Sequence, residues 1–443
     1  MEKKRTQAPW LVSVTLMMLM LVTPFGHAAI DGISGTHFTL TARQDFITTA
    51  DGNSLTIWGY GNGARAQYPG PTFIVNEGDT VTVELTSAIA KAGTGHVPVS
   101  IVFPGMEGVT ASGGAEGLLT RESTGPEDTV TYTFTANRPG TFLYHSGTQP
   151  ELQVEMGLAG AIVVRPRLGA GYAYNDASTR FDHEYLFLLT EMDERIHRAV
   201  ATGNLGVDTR DYFSVYWFIN GRTAPDTVSD AGVPWLPTQP YNSLPRTRPG
   251  ETVLMRVVAA GREMHPFHTH GNNALIIARD GRPLSSSPGS GTDLAYSDYT
   301  IAAVPGQTYD ALFSWTGKGL GWDVYGHATG DGSQCVDTVN NRTGAGSPDG
   351  FDDTTWEYCA DHAKPFPVVL PEYQDLVFGA WYSGSPFLGA MGNLPPGEGG
   401  LNLYGGLFYM WHSHTEKELT NFDIFPGGMM TMLIVEPPGT PIP

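Results

Sequence analysis

The chain has 443 residues, 55 of them glycine and 32 proline, with 41% hydrophobic and only 16% charged residues. That mixture disfavours a coiled coil, an all-helical protein and a disordered chain, and the length suits two or three domains at roughly 150 residues each. A formal net charge of -20 argues against nucleic acid or an anionic membrane surface as a partner and favours attraction of cations.

In chain order, the first segment reads as an export signal. Lys3, Lys4 and Arg5 precede the apolar run from Leu11 to Val22, and Gly26-His27-Ala28 supplies a small-x-small cleavage site. The run is too short to cross a bilayer, which takes about 20 apolar residues, and no second long apolar stretch follows. Residues 1–28 are expected to be removed, and the mature protein to be periplasmic or extracellular, with no membrane span. In such a compartment Cys335 and Cys359 are expected to pair as a disulfide closing a local loop.

Alternating segments then succeed one another: HFTLTAR (37–43), SLTIWGY (54–60), TFIVNEGDTVTVELT (72–86), VSIVF (99–103), TVTYTFTANRPGTFLYHS (129–146) and GLAGAIVVRP (157–166). The period of two predicts strands, and the glycine and proline signals between them predict turns. Together they predict a β-sandwich over residues 29–167. Residues 168–183, rich in Gly, Ala and Asn, read as a linker. A second unit, 184–443, repeats the grammar in EYLFLLTE (184–191), YWFING (216–221), TVLMRVVAAG (252–261), ALIIARDG (274–281), YTIAAVPGQTYDALFSW (299–315), LFYMWHSH (407–414) and MMTMLIVEPP (429–438). GDTVTVELT is echoed by GETVLMRVV, and RPGTFLYHS with GLAGAIVVRPR by GGLFYMWHS with GGMMTMLIVEPP. The fold class is all-β, with two copies of one sandwich.

These residues carry a family resemblance. HPFHTHG (265–271) resembles a copper motif of multicopper oxidases, and MWHSH (410–414) resembles their C-terminal His-Cys-His motif. PGPTFIVNEGDTV, RPGTFLYHS and GLAGAIVV resemble the first cupredoxin domain of two-domain laccases and copper nitrite reductases. The resemblance covers roughly residues 40–165 and 184–440 and implies two Greek-key cupredoxin domains, copper as cofactor, and oxidoreductase activity.

Residues two apart on a strand share a face, so His268 and His270 point one way, and so do His412 and His414. Imidazoles suit copper. The resemblance adds His145, in TFLYHSG, where the family supplies a ligand across a domain boundary. His145, His268, His270, His412 and His414 are the expected copper ligands. The departures are equally informative. A type 1 (blue) copper requires a cysteine thiolate, yet the family's cysteine positions hold Ser146 and Ser413, and a further histidine position falls at Glu418. His265 would be a type 1 ligand by resemblance; without those partners it reads better as a hydrogen-bonded strand-end histidine. Other family histidine positions hold Val102, Pro104 and Gly147.

The segment between the cysteines, 331–359, is rich in carboxylates, among them Asp337, Asp349, Asp352, Asp353 and Glu357. Oxygen donors among glycine turns suit calcium; the other reading is an exposed acidic loop held by the disulfide. For function, three readings remain: a copper oxidoreductase lacking type 1 copper, a copper-binding protein without turnover, and a structural protein of the cell surface or periplasm. A homotrimer is the expected assembly by resemblance, with His145 serving a neighbouring subunit, and a monomer with both domains packed together is the alternative. The electron donor or metal substrate is not specified by any residue.

Overall fold

The computed structural model describes residues 30–327, 330–338, 348–365 and 402–442. The expected signal segment lies outside the described residues. Two β-sandwiches account for nearly all the regular structure.

The first sandwich places a four-stranded sheet, ordered Ile33–Ser34, Phe73–Asn76, Ala159–Arg165, Gly140–His145, against a five-stranded sheet ordered Ser54–Gly61, His37–Thr48, Thr80–Ser87, Val130–Thr135, Thr110–Gly113. Alternation does what the sequence pattern requires: along Thr80–Ser87 every second residue (Val81, Val83, Leu85, Ser87) is buried. Phe38, Phe73 and Tyr144 stack through the centre at ring separations of 4.4 and 4.7 Å.

The second sandwich repeats this wiring. His183–Met192 runs parallel to Thr252–Ala259, as His37–Thr48 runs parallel to Thr80–Ser87. Arg246–Thr247 runs parallel to Met430–Val435, as Phe73–Asn76 runs parallel to Ala159–Arg165. The hairpin of Leu407–Ser413 with Met430–Val435 matches that of Gly140–His145 with Ala159–Arg165. Both sandwiches combine antiparallel hairpins with parallel neighbours reached by long connections. The internal repeat in the sequence is thus a repeat of topology.

The two units share a core of their own. Leu143, Ala159, Ala161 and Val163, on the outer face of the first sandwich, meet Leu186, Leu188, Val258 and Ala260 of the second. Arg256, fully buried, lies 3.0 Å from Glu184 and 3.5 Å from Asp310. Thr141 of the first sandwich donates to Asp310 at 2.5 Å and accepts from Arg256 at 3.0 Å.

Three features add to the sequence reading. The linker residues 168–183 are packed down: Ala173, Tyr174 and Phe181 are buried against Leu254, Ile277 and Ala278. VSIVF forms only isolated bridges, Val99 to Ser123 and Val102 to His145, because Pro98 and Pro104 at its ends have no N–H to donate. A helix, Glu194–Ala201, follows His183–Met192, with Asp193 accepting from the Arg195 N–H as its cap.

The Cys335–Cys359 disulfide is formed. The carboxylates around it do not converge as a calcium site. Asp352 accepts from the N–H groups of Val336, Thr354 and Thr355. Asp337 accepts from Gly350, and Asp349 from Phe351. Side-chain oxygens so engaged act as turn caps. Asp353 lies in the same turn, and Glu357 faces two histidines instead.

Candidate metal centre

Strand His265–Thr269 pairs antiparallel with Leu407–Ser413, and the register sets His268 directly opposite His412. Phe267, Trp411 and Ser413 turn into the core. His268 and His412 therefore turn to the other face. The chain carries this face onward past both strand ends, where the His270 N–H donates to Met410 at 3.1 Å and the His414 N–H to Pro266 at 2.8 Å.

His268, His270 and His412 bring one ring nitrogen each within 4.8 Å of the others. His270 Nε2 and His412 Nε2 are 3.1 Å apart. The ring of His414, exposed at the open side, lies 4.9 Å from that of His268 and 5.5 Å from that of His412. Orientation is fixed from behind. His412 Nδ1 donates to the Ser413 carbonyl at 2.5 Å, and His268 Nδ1 hydrogen-bonds with the Thr300 hydroxyl at 2.9 Å. Each bond leaves Nε2 facing the cluster, the usual way a protein presents imidazole to a metal. Burial, with His270 and His414 beside it, pushes His268 down to about 4. Burial and the same neighbours push His412 to about 4. These imidazoles are neutral, the form that ligates metals, over the ordinary pH range.

His145 does not join them within one chain. It lines a pocket of about 270 Å³ with Glu151, Glu155, Glu191, Arg262 and Pro305. Its Nδ1 donates to the carbonyl of Ser146 at 2.9 Å, repeating the His412–Ser413 arrangement in the other sandwich.

Both cysteine positions are filled by hydrogen-bonded serines. Ser146 donates to Gln153 at 2.6 Å, and Gln153 donates to the Pro98 carbonyl at 2.8 Å. Ser413 accepts from the Thr415 N–H at 3.2 Å. His265, fully buried, lies between two carboxylates: Nδ1 is 2.9 Å from Glu418 and Nε2 is 2.9 Å from Glu191. Although burial opposes its charge, hydrogen bonds that its ring N–H groups donate to both carboxylates raise His265 to about 9. Gly261 makes room for this triad, since a Cβ there would stand 1.9 Å from Glu191 Oε2. The second oxygen of Glu191 accepts from the N–H groups of Arg262 and Glu263. His265 is thus the hydrogen-bonded strand-end histidine that its missing partners implied. Glu191 was not legible as its partner, because it sits on a strand of ordinary pattern far away in sequence.

Among the described residues a second grouping of metal-competent side chains exists, Asp323, His327, Glu357 and His362. Of these only Glu357 was a sequence candidate. Asp323 and His327 stand four apart in a segment of no clear periodicity, which gives no face to read.

Residues 41–169 match the family model for multicopper oxidases. That stretch, within the first sandwich, is similar to the multicopper oxidase family. Copper resistance protein A of Escherichia coli is 30% identical over 168 residues, 37% of this chain and 24% of that protein. A copper-containing nitrite reductase of Alcaligenes xylosoxydans xylosoxydans is 31% identical over 197 residues, 44% of this chain and 54% of the reductase. The chain thus spans about a quarter and about half the length of these two relatives. Among solved structures, the blue copper oxidase from Nitrosomonas europaea has a TM-score of 0.54 at 19% identity, covering 90% of this chain and 85% of that one; that likeness concerns the cupredoxin fold. No helix among the described residues is long and apolar enough to cross a membrane.

Proposed function

We propose that this protein is an exported copper-binding oxidoreductase of the multicopper oxidase family that works without type 1 copper. One observation carries the reading: three imidazoles on one sheet face, His268, His270 and His412, bring their nitrogens within 4.8 Å, with His414 beside them. A donor set of neutral imidazoles suits copper. Copper held there would supply one-electron chemistry and would polarise a small molecule bound beside it. Thr300 and the Ser413 carbonyl hold two rings in place, and exposed His414 marks the open approach. With Ser146 and Ser413 at the cysteine positions, no thiolate links a surface donor to the cluster. The reductant must therefore be small enough to reach the histidines themselves.

A second reading is copper binding without turnover, favoured by the same missing thiolates. Export rests on the N-terminal signal pattern and on the Cys335–Cys359 disulfide. For assembly, a homotrimer would let His145 of one chain serve the cluster of the next; what supports it is that His145 stands in a separate pocket of its own chain.

The test is copper uptake by the mature protein after dialysis. The native chain should retain copper, and the double substitution His268→Ala with His412→Ala should abolish retention. Undiminished copper in the double variant would overturn the assignment. Oxygen-dependent oxidation of a phenol or a metal ion then separates turnover from storage.

A further inference from the structure

The segment between strands Thr308–Ser314 and Leu407–Ser413 holds four side chains that the copper reading does not use. Asp323, His327, Glu357 and His362 each bring one ligand atom within 4.8 Å of the others. We propose that they form a closed zinc site that, with the disulfide, fixes this insertion.

The spacing fits a tetrahedral ion. His327 Nδ1 lies 2.9 Å from Asp323 Oδ2 and 3.3 Å from Glu357 Oε1, and His362 Nδ1 lies 2.7 Å from Glu357 Oε1. Ligands of a tetrahedral zinc with bonds near 2.0 Å are about 3.3 Å apart, so modest adjustment admits the ion.

Charge points the same way. Asp323 and Glu357 are 3% and 2% exposed, and among the described residues their ion pairs are with the two histidines, not with Lys or Arg. Lys364 is drawn off to Asp361 at 2.7 Å. Two buried carboxylates so close repel each other unless a cation lies between them. A dication with two neutral imidazoles brings the group to net zero.

The surroundings orient the donors. Asp323 accepts from the N–H groups of Tyr325, His327 and Ala363. His362 Nε2 faces the Ser333 carbonyl at 3.2 Å, which leaves Nδ1 as the ligating nitrogen. Two imidazoles and two carboxylates, with no thiolate and few oxygens, suit zinc and not calcium. Because the ligands flank Cys335 and Cys359 on both sides, metal and disulfide would tie the same segment twice.

The experiment is metal analysis of the full-length mature protein, dialysed after exposure to zinc alone, to copper alone, or to both. The native chain should keep about one zinc per chain that His327→Ala with His362→Ala loses. Copper retention by His268, His270 and His412 should be unchanged in that variant, so the two sites fail independently. Should the double variant misfold, a chelator applied to the native chain without reductant should increase proteolysis within residues 317–365. Zinc retained by the double variant, no zinc in the native chain after exposure to zinc alone, or proteolysis indifferent to chelator would each overturn the proposal.

Discussion

His265 Nδ1 and Glu418 Oε2 lie 2.9 Å apart in the interior of the second sandwich. By the family resemblance both positions would be histidines holding a blue copper. Here one is a carboxylate, and Glu191 closes the other side of the ring. By that resemblance an ion triad takes the place of a metal, with Ser413 where a thiolate would stand.

That triad makes stability depend on pH. His265 is raised to about 9 by Glu191 and Glu418 against the cost of burial, while an unfolded histidine titrates near 6.5. Its contribution is fully present below about pH 6.5 and is lost as pH rises through 9. Denaturant unfolding at pH 6 and pH 9.5 should show a loss of about 3 kcal/mol over this interval. His265→Gln should flatten most of it, and an unchanged slope in that variant would count against a charged His265.

The triad also explains why a single reversion should not make the protein blue. Ser413→Cys alone leaves Glu418 against His265 Nδ1. Ser413→Cys together with Glu418→His supplies a thiolate and a second imidazole, and should give copper-dependent absorption at about 600 nm. Spectra of the two variants after copper loading check this, and blue colour from the single variant would contradict it.

Arg256 binds the two sandwiches through Glu184, Asp310 and Thr141. Arg256→Met should destabilise the chain by about 3–5 kcal/mol, since two carboxylates remain buried with less compensation. Thermal unfolding should also lose cooperativity between the units. Glu184 also accepts from Arg165 at 2.6 Å, and a loss below about 1 kcal/mol would mean that Arg165 alone satisfies it.

If His145 serves a neighbouring chain, light scattering of the mature protein should give a trimer whose population rises with copper, and His145→Ala should remove the copper effect. A mass of one chain at all concentrations, with or without copper, would rule that assembly out.

Strands were readable where one face alone is buried, as in Thr80–Ser87, because alternation records that burial directly. The pairs His268/His270 and His412/His414 were readable for the same reason. Register could not be read, yet it is register that sets His268 opposite His412. Glu191 escaped notice because its contact with His265 spans 74 residues, and nothing local marks a strand carboxylate as buried. The acidic loop divides differently: Asp337, Asp349 and Asp352 cap turns, and the residues that do converge include two histidines outside the counted run.

The central claim is histidine-bound copper without a thiolate, and spectroscopy of the copper-loaded mature protein tests it most directly. Electron paramagnetic resonance should show copper with nitrogen donors whose signal disappears in His268→Ala with His412→Ala, and absorption should lack an intense band at about 600 nm. An intense blue band in the native protein, or a copper signal unaffected by those substitutions, would contradict the account.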